Sequence, residues 1–345
     1  MSFFVFGGSN SIFRDGWITW FAERAGQPVL NRSVGATTTL TGLFRFLMKG
    51  EERAPEAGDC IIWEYALNDV NHVARGYRRE MLLKNVEHLM VLSRERGCTF
   101  VPLIFTPLWQ EQAPRRDLYY DMLTKLFLAY GVVPFDVSTA WRHHFGKARM
   151  PDSMYLNNPH YARVPQVMDF IANGVAEAAN NARVPAAIAP HYTEGRGVTL
   201  ITGLGREIHQ NSIMRVPVTR IPLSIEMNQH GRIAAVCALC QSEPERGIRV
   251  QLVPSAGEIR QMRFSTTNQD DQRTILKAIS LENALGKRWS DRWAFSPGDR
   301  LRLSPARKPG DFYAEHELSK SLASPNIGAP ARITGVLVES VMPAP

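Results

Sequence analysis

A chain of 345 residues, 44% of them hydrophobic, carries enough apolar side chains for two ordinary cores, which excludes a disordered or low-complexity protein. No apolar run approaches the roughly 18 to 20 residues that cross a bilayer, and a strand pattern from residue 3 leaves no space for a basic leader, so a cytoplasmic location without a membrane partner is expected. Four cysteines (Cys60, Cys98, Cys237 and Cys240) are too few for a disulfide framework, and the net charge of +7 lacks the aromatic-interleaved basic stripe of a nucleic-acid surface.

Phe3-Phe4-Val5-Phe6, stopped by Gly7 and Gly8, reads as a buried strand that ends abruptly, with Ser9 on the turn and a helix pattern from Asp15 to Phe21. Pro28 to Asn31 is a short second strand leading into Ser33-Val34-Gly35, and Leu40, Leu43, Phe44 and Leu47 then fall at helical spacing. Asp59 to Tyr65 is a third strand running straight into Ala66-Leu67-Asn68-Asp69. A helix over 78–96, a strand over 99–105, a helix over 118–130 and a short strand over 132–135 follow. A loop over 146–160 and a closing helix over 164–179 end the series. Strands that alternate with helices predict a parallel sheet covered on both faces, an α/β/α domain over residues 1–182.

Asn180 to Pro190, rich in Asn, Ala and Pro, reads as a linker. Beyond it short β-type runs, over 198–202, 216–227, 233–239, 248–253, 261–266, 301–303 and 332–340, are separated by turn residues. Gln229-His230-Gly231 reads as a hairpin turn, and Ile275 to Leu285 as the best of few helix candidates. Residues 190–345 are therefore expected to form a β-sandwich, or jelly-roll-like, domain.

Four sites in the first domain fall where its strands end: Ser9, Gly35, Asn68 and, in the late loop, His160. In an open α/β sheet those ends converge on one crevice. A serine hydroxyl needs a base, which His160 can supply. The oxyanion of an attacked carbonyl needs preorganised donors, and the Ser9 and Gly35 main-chain N–H groups and the Asn68 amide suit that task.

That ordered set resembles the SGNH, or GDSL-type, hydrolase family. Gly7-Gly8-Ser9-Asn10-Ser11 resembles its first block, Gly-Asp-Ser-Leu-Ser/Thr, with the nucleophile at Ser9. Ser33-Val34-Gly35 resembles the second, and Ala66-Leu67-Asn68-Asp69 the third, Gly-x-Asn-Asp. Asn157-Asn158-Pro159-His160 resembles the last, Asp-x-x-His, with the base at His160. The resemblance covers about residues 1–180 and implies a flavodoxin-like sheet and acyl-ester chemistry without metal or cofactor. The expected substrate is an acylated small molecule or glycan, with an O-acetyl ester of a carbohydrate as the working example. Transfer of the acyl group to a glycan hydroxyl, or a silent glycan-binding or scaffold role, are the alternatives.

Two departures from the family pattern bear on mechanism. Gly8 stands where the first block has Asp, a tolerable change because that side chain is not the nucleophile. Asn157 stands where the last block has its acid. An amide oxygen can orient the imidazole but brings no charge to stabilise the imidazolium, so Asn157 is expected to accept from the His160 ring, unless Asp152, Asp169 or a carbonyl takes that task. Other features read as structural: Ser11 as a turn residue, Asp69 as a cap. His143 and His144 are adjacent and point apart, Cys237-x-x-Cys240 lies within a β-type run, and Gly203-Leu204-Gly205 is a turn. Trp289 and Trp293 suit either sugar stacking or core packing.

Overall fold

Apolar runs in the first half of the chain become five parallel strands: β1 (Phe3–Gly7), β2 (Val29–Asn31), β3 (Cys60–Glu64), β4 (Thr99–Ile104) and β5 (Phe135–Asp136), in the order β2-β1-β3-β4-β5. The computed structural model describes residues 1–49, 52–146, 149–202, 204–205, 207–241, 247–266, 274–284, 287–288, 293–306 and 331–341. The chain divides into two compact units, one made of Met1–Phe46, Ala54–Arg75 and Leu82–Tyr192, the other of Leu47–Arg53, Gly76–Met81 and Thr193–Pro345.

The helices of the first unit are α1 (Trp17–Ala25), α2 (Thr39–Leu47), α3 (Ala66–Val73), α4 (Arg79–Glu95), α5 (Leu108–Glu111), α6 (Leu118–Ala129), α7 (Val137–Phe145) and α8 (Pro165–Asn180). Strands covered on both faces need apolar residues at every position, which is why β1 and β3 are buried throughout. Alternate residues serve opposite faces. Phe3, Val5, Cys60, Ile62, Val101 and Leu103 pack with Trp17 and Phe21 of α1 and Ile171 and Val175 of α8. Phe6 meets Phe46 of α2, while Trp63 and Phe100 meet Phe127 of α6 on the other side. The unit is thus an α/β parallel-sheet fold. Its strand order reverses between β1 and β3, and β3 leaves the sheet at Glu64 beside Gly7.

Part of the expected loop over 146–160 is ordered. Tyr155–Asn157 (β6) and His160–Tyr161 (β7) pair as a small antiparallel hairpin. The expected linker is tied to the first unit: Phe100 N–H donates to Arg183 O, Ala186 N–H to Tyr130 O, and the His191 and Tyr192 N–H groups to the Glu87 carboxylate.

Among the described residues the second unit holds two large antiparallel sheets and a two-stranded one, Asn283–Ala284 with Lys287–Arg288. Ile275–Ser280, Gly231–Cys240, Arg332–Val341, Arg215–Arg220 and Glu207–Gln210 form the path of the larger, and Leu223–Glu226, Arg300–Pro305, Ile248–Val253 and Arg260–Phe264 the smaller. One apolar cluster takes Ile233, Val236 and Ile333 from the larger and Val250, Phe264 and Leu303 from the smaller. Two expectations are corrected here. Ile275 begins a strand and not a helix, because residues 275–280 pair along the central strand Gly231–Cys240 and are buried on both faces, which erases the alternation that marks a strand. Residues 229–231 do not close a hairpin, since the strands on either side belong to different sheets. Trp293 is fully buried in the apolar cluster, so it packs the core and faces no sugar; Trp289 lies outside the described residues. Cys237 and Cys240 are buried thiols. Among the described residues no helix is long and apolar enough to cross a membrane.

Candidate active site

The chain leaves β1 through Gly7 and Gly8 into one tight turn, Ser9–Ser11, closed by Ser11 N–H to Gly8 O and Ile12 N–H to Ser9 O. The buried Glu64 carboxyl at the end of β3 sits beneath it. One oxygen, Oε2, accepts from the Gly8 N–H at 3.0 Å and from the Ser11 hydroxyl at 2.6 Å, and Ser11 Oγ accepts in turn from the Trp17 indole. A Cβ on Gly7 would lie 2.6 Å from that same oxygen, so β1 must end in glycine for the carboxyl to fit. Burial pushes the Glu64 carboxyl up to about 8, against the pull of the Ser11 and Gly8 donors. Reading β3 as a strand end missed this residue; the only available signal was a carboxylate inside an apolar run.

Ser9 is half-buried, and its Oγ lies 2.7 Å from His160 Nε2. Gly35 and Asn68 lie against the turn that carries Ser9. A Cβ on Gly35 would lie 3.4 Å from Ser9 Cβ, and one on Gly8 would lie 2.0 Å from Asn68 Oδ1, so the Asn68 carboxamide occupies the space over the turn. Among the described residues the Ser9 and Gly35 main-chain N–H groups and the Asn68 carboxamide have no hydrogen-bond partner. Three donors are therefore uncommitted at this turn. The structure brings together Ser9, Gly35, Asn68 and His160 from four separate stretches of sequence.

His160 stands on the hairpin β6–β7, which is anchored to the end of β4. The Tyr155 and Tyr161 hydroxyls both donate to Thr106 O, and the Tyr161 oxygen accepts from Thr106 N–H. Asn158 secures the hairpin tip to α5, its main-chain O accepting from Leu108 N–H and its side chain from Trp109 N–H. The His160 ring meets Phe13 edge-on, with centroids 5.1 Å apart. Burial and then the nearby Arg163 charge hold its imidazole below the usual histidine value; Arg163 itself pairs with Asp15 at 2.7 Å.

Asn157 does not take the part expected of it. Its Oδ1 accepts from the His160 main-chain N–H at 3.2 Å, so it caps the turn and leaves the ring alone. Neither named acid replaces it. Asp152 pairs with Arg149 and accepts from Gln112, and Asp169 pairs with Arg24 and accepts from Asn173. Among the described residues, the His160 ring has Ser9 as its one hydrogen-bond partner. The reason is local: in so tight a turn the amide oxygen reaches the main chain three residues on before it reaches the ring. Asp69 is structural, accepting from Thr39 N–H, the Thr39 hydroxyl and the Tyr119 hydroxyl, and so joins α3 to the starts of α2 and α6.

Sequence reasoning also missed Asn10. Its Nδ2 donates to Pro159 O at 2.9 Å and its Oδ1 accepts from Tyr161 N–H at 3.1 Å. No local pattern marks a contact between residues so far apart in the chain.

No protein-family model matches this chain. No curated protein matches it. Among solved structures, a putative GDSL-like lipase from Parabacteroides merdae is similar at 14% identity over 52% of this chain and 95% of that one, with a TM-score of 0.44. The psychrotrophic esterase EstA from a Pseudoalteromonas species is similar at 18% identity over 52% of this chain and 99% of that one, with a TM-score of 0.39. A Bacillus subtilis protein matches at 13% identity and a TM-score of 0.41, the alignment spanning 52% of this chain and 55% of that one.

Proposed function

We propose that the chain is a serine esterase that removes a small acyl group, such as O-acetyl, from a carbohydrate or related ester. The observation that carries this reading is the 2.7 Å approach of His160 Nε2 to Ser9 Oγ beside three uncommitted donors. Ser9 Oγ attacks the acyl carbon while His160 Nε2 takes its proton. The oxyanion forms against the N–H groups of Ser9 and Gly35 and the Asn68 amide. Collapse expels the alcohol, which recovers the proton from His160, and the acyl group stays on Ser9. Water, activated by the same nitrogen, then releases the acid. A sugar hydroxyl in place of that water would make the same site an acyltransferase, and a product analysis with an added sugar acceptor separates the two.

Residues 1–182 form the catalytic domain in this proposal and residues 190–345 an accessory β-sandwich, a reading supported by the apolar cluster that the two antiparallel sheets share. The missing carboxylate at His160 favours a second reading, a silent relative that binds its ligand without turnover. One experiment divides them. With a short-chain aryl ester, the wild-type protein should release the phenol and be labelled at Ser9 by an organophosphonate. Ser9→Ala should abolish both with its thermal midpoint unchanged. Equal rates in the two proteins, and no labelling, would leave the silent reading.

A further inference from the structure

The residue that follows the nucleophile reaches back to hold the base. Asn10 is 6% exposed, and its carboxamide uses both of its ends on the hairpin β6–β7. Nδ2 donates to the carbonyl of Pro159 and Oδ1 accepts from the N–H of Tyr161, the two residues that flank His160 in the chain. One planar group therefore fixes the main chain on either side of the base, and with it the direction of the His160 Cα–Cβ bond. After that only the two side-chain torsions remain. The Phe13 edge confines the ring, and the bond to Ser9 selects its orientation.

We propose that Asn10 is the positioning residue of the Ser9–His160 pair, holding the imidazole from the nucleophile's own turn. The inference rests on the esterase reading of that pair. Three observations converge on it. Asn157, where the resemblance implies an acid, is committed to a main-chain N–H. Asn158 is committed to α5. Among the described residues no carboxylate bonds to the His160 ring, so nothing on the hairpin itself sets the ring against Ser9. Among the described residues Asn10 alone connects the two halves of the pair, by its side chain to the main chain on either side of His160. Because nucleophile and anchor are neighbours on one short turn, a shift of that turn carries the base with it and the separation is kept.

The cost of losing this hold is a matter of distance, since a displacement of about 1 Å at a reacting pair lowers rates by about 10²-fold. The direct test is Asn10→Leu, which keeps the bulk and removes both hydrogen bonds. With an aryl acetate as probe, kcat should fall by about 10²-fold while KM stays within about threefold, because the acyl pocket is untouched. A second readout needs no turnover. Followed by NMR, the His160 imidazole of the variant should titrate closer to the ordinary histidine value than in the wild type, as the loosened hairpin admits water; Arg163, with Asp15 beside it, remains the nearby charge in both proteins. A wild-type kcat together with an unmoved His160 titration would overturn the proposal. If the wild-type protein neither turns over esters nor labels at Ser9, the esterase reading fails by itself, and the NMR titration still decides whether Asn10 holds His160. Asn10→Asp guards against a leucine variant that does not fold. It keeps the acceptor for Tyr161 N–H and loses the donor to Pro159, so kcat should fall by about tenfold, less than for leucine; an undiminished kcat there would also overturn the proposal.

Discussion

At position 8 there is no room for a side chain. A Cβ would lie 2.0 Å from Asn68 Oδ1, because the carboxamide fills the space above the turn. The departure from Gly-Asp-Ser is thus more than a tolerated loss: Gly8 and the placement of Asn68 require each other, and Glu64 supplies a buried carboxyl at the Gly8 N–H from the neighbouring strand. Gly8→Ala should therefore push the Asn68 amide off the oxyanion position that the proposed mechanism assigns it. Loss of one such donor lowers turnover by roughly 10²-fold, and the thermal midpoint should move little because the displaced group is a flexible side-chain end. Steady-state rates and a melt on the same preparation check this. Gly8→Asp should be at least as damaging, although it would bring the sequence nearer to the Gly-Asp-Ser block that it resembles.

At the scale of elements, the hairpin β6–β7 decides how the base behaves. Asn157→Asp keeps an acceptor for the His160 main-chain N–H, so the turn survives, and it places a negative charge three residues from the base. In the wild type, burial and Arg163 favour the neutral imidazole, so activity should persist below the ordinary histidine value of 6.5 before acid removes it. The new carboxylate favours the imidazolium. The acid limb of the rate profile should then move up by about one pH unit, with faster turnover near neutrality. An unmoved limb would mean that the carboxylate does not reach the ring. Strands β1 to β4 and helices α1, α2, α4, α6 and α8 were legible because each is a local pattern, a short apolar run or apolar residues at helical spacing, whereas α3, α5 and α7 were not read and β5 lies at Phe135–Asp136 and not over 132–135. The hairpin was not, because its strands are only three and two residues long and its anchors, Thr106, Asn10 and Leu108, lie elsewhere in the chain. Ser9, Gly35, Asn68 and His160 stood out by their place at strand ends. Asn10 and Glu64 did not, since an amide in a turn and an acid at the end of a strand look ordinary until their partners are known. Ile275 was misread for the converse reason: a strand buried on both faces carries no period of two.

Across the whole molecule, two buried carboxyls near the sheet's carboxyl edge tie stability to pH. Burial pushes Glu64 up to about 8, with the Asp69 charge adding to the rise, and burial pushes Asp69 up to about 7. Both values lie above the ordinary 4.5 and 3.8, so over that window the folded protein holds protons that the unfolded chain has released. The sign follows: the contribution is fully present below about pH 4 and is lost as the pH rises through about 7 to 8. The thermal midpoint should fall between about pH 5 and about pH 8, and Glu64→Gln, which cannot ionise, should flatten that decline. A melting profile of equal slope in variant and wild type would contradict it.

The hold on His160 also has a consequence for ionic strength. Asn10, Asn157 and Asn158 secure the hairpin through neutral amides and main-chain groups, and no ion pair stands between base and nucleophile among the described residues. Dissolved salt screens charges and leaves short dipolar contacts nearly as they were. Its point of action near the ring is the exposed Arg163–Asp15 pair, whose guanidinium lies over Phe13 and whose charge bears on the titration of the imidazole, not on its bond to Ser9. As salt rises from roughly 0.01 to 1 M the screening length contracts from about 30 to about 3 Å, yet the Ser9–His160 separation has little in it for that contraction to weaken. A Ser9–His160 contact set by amides keeps its geometry in brine as in dilute buffer.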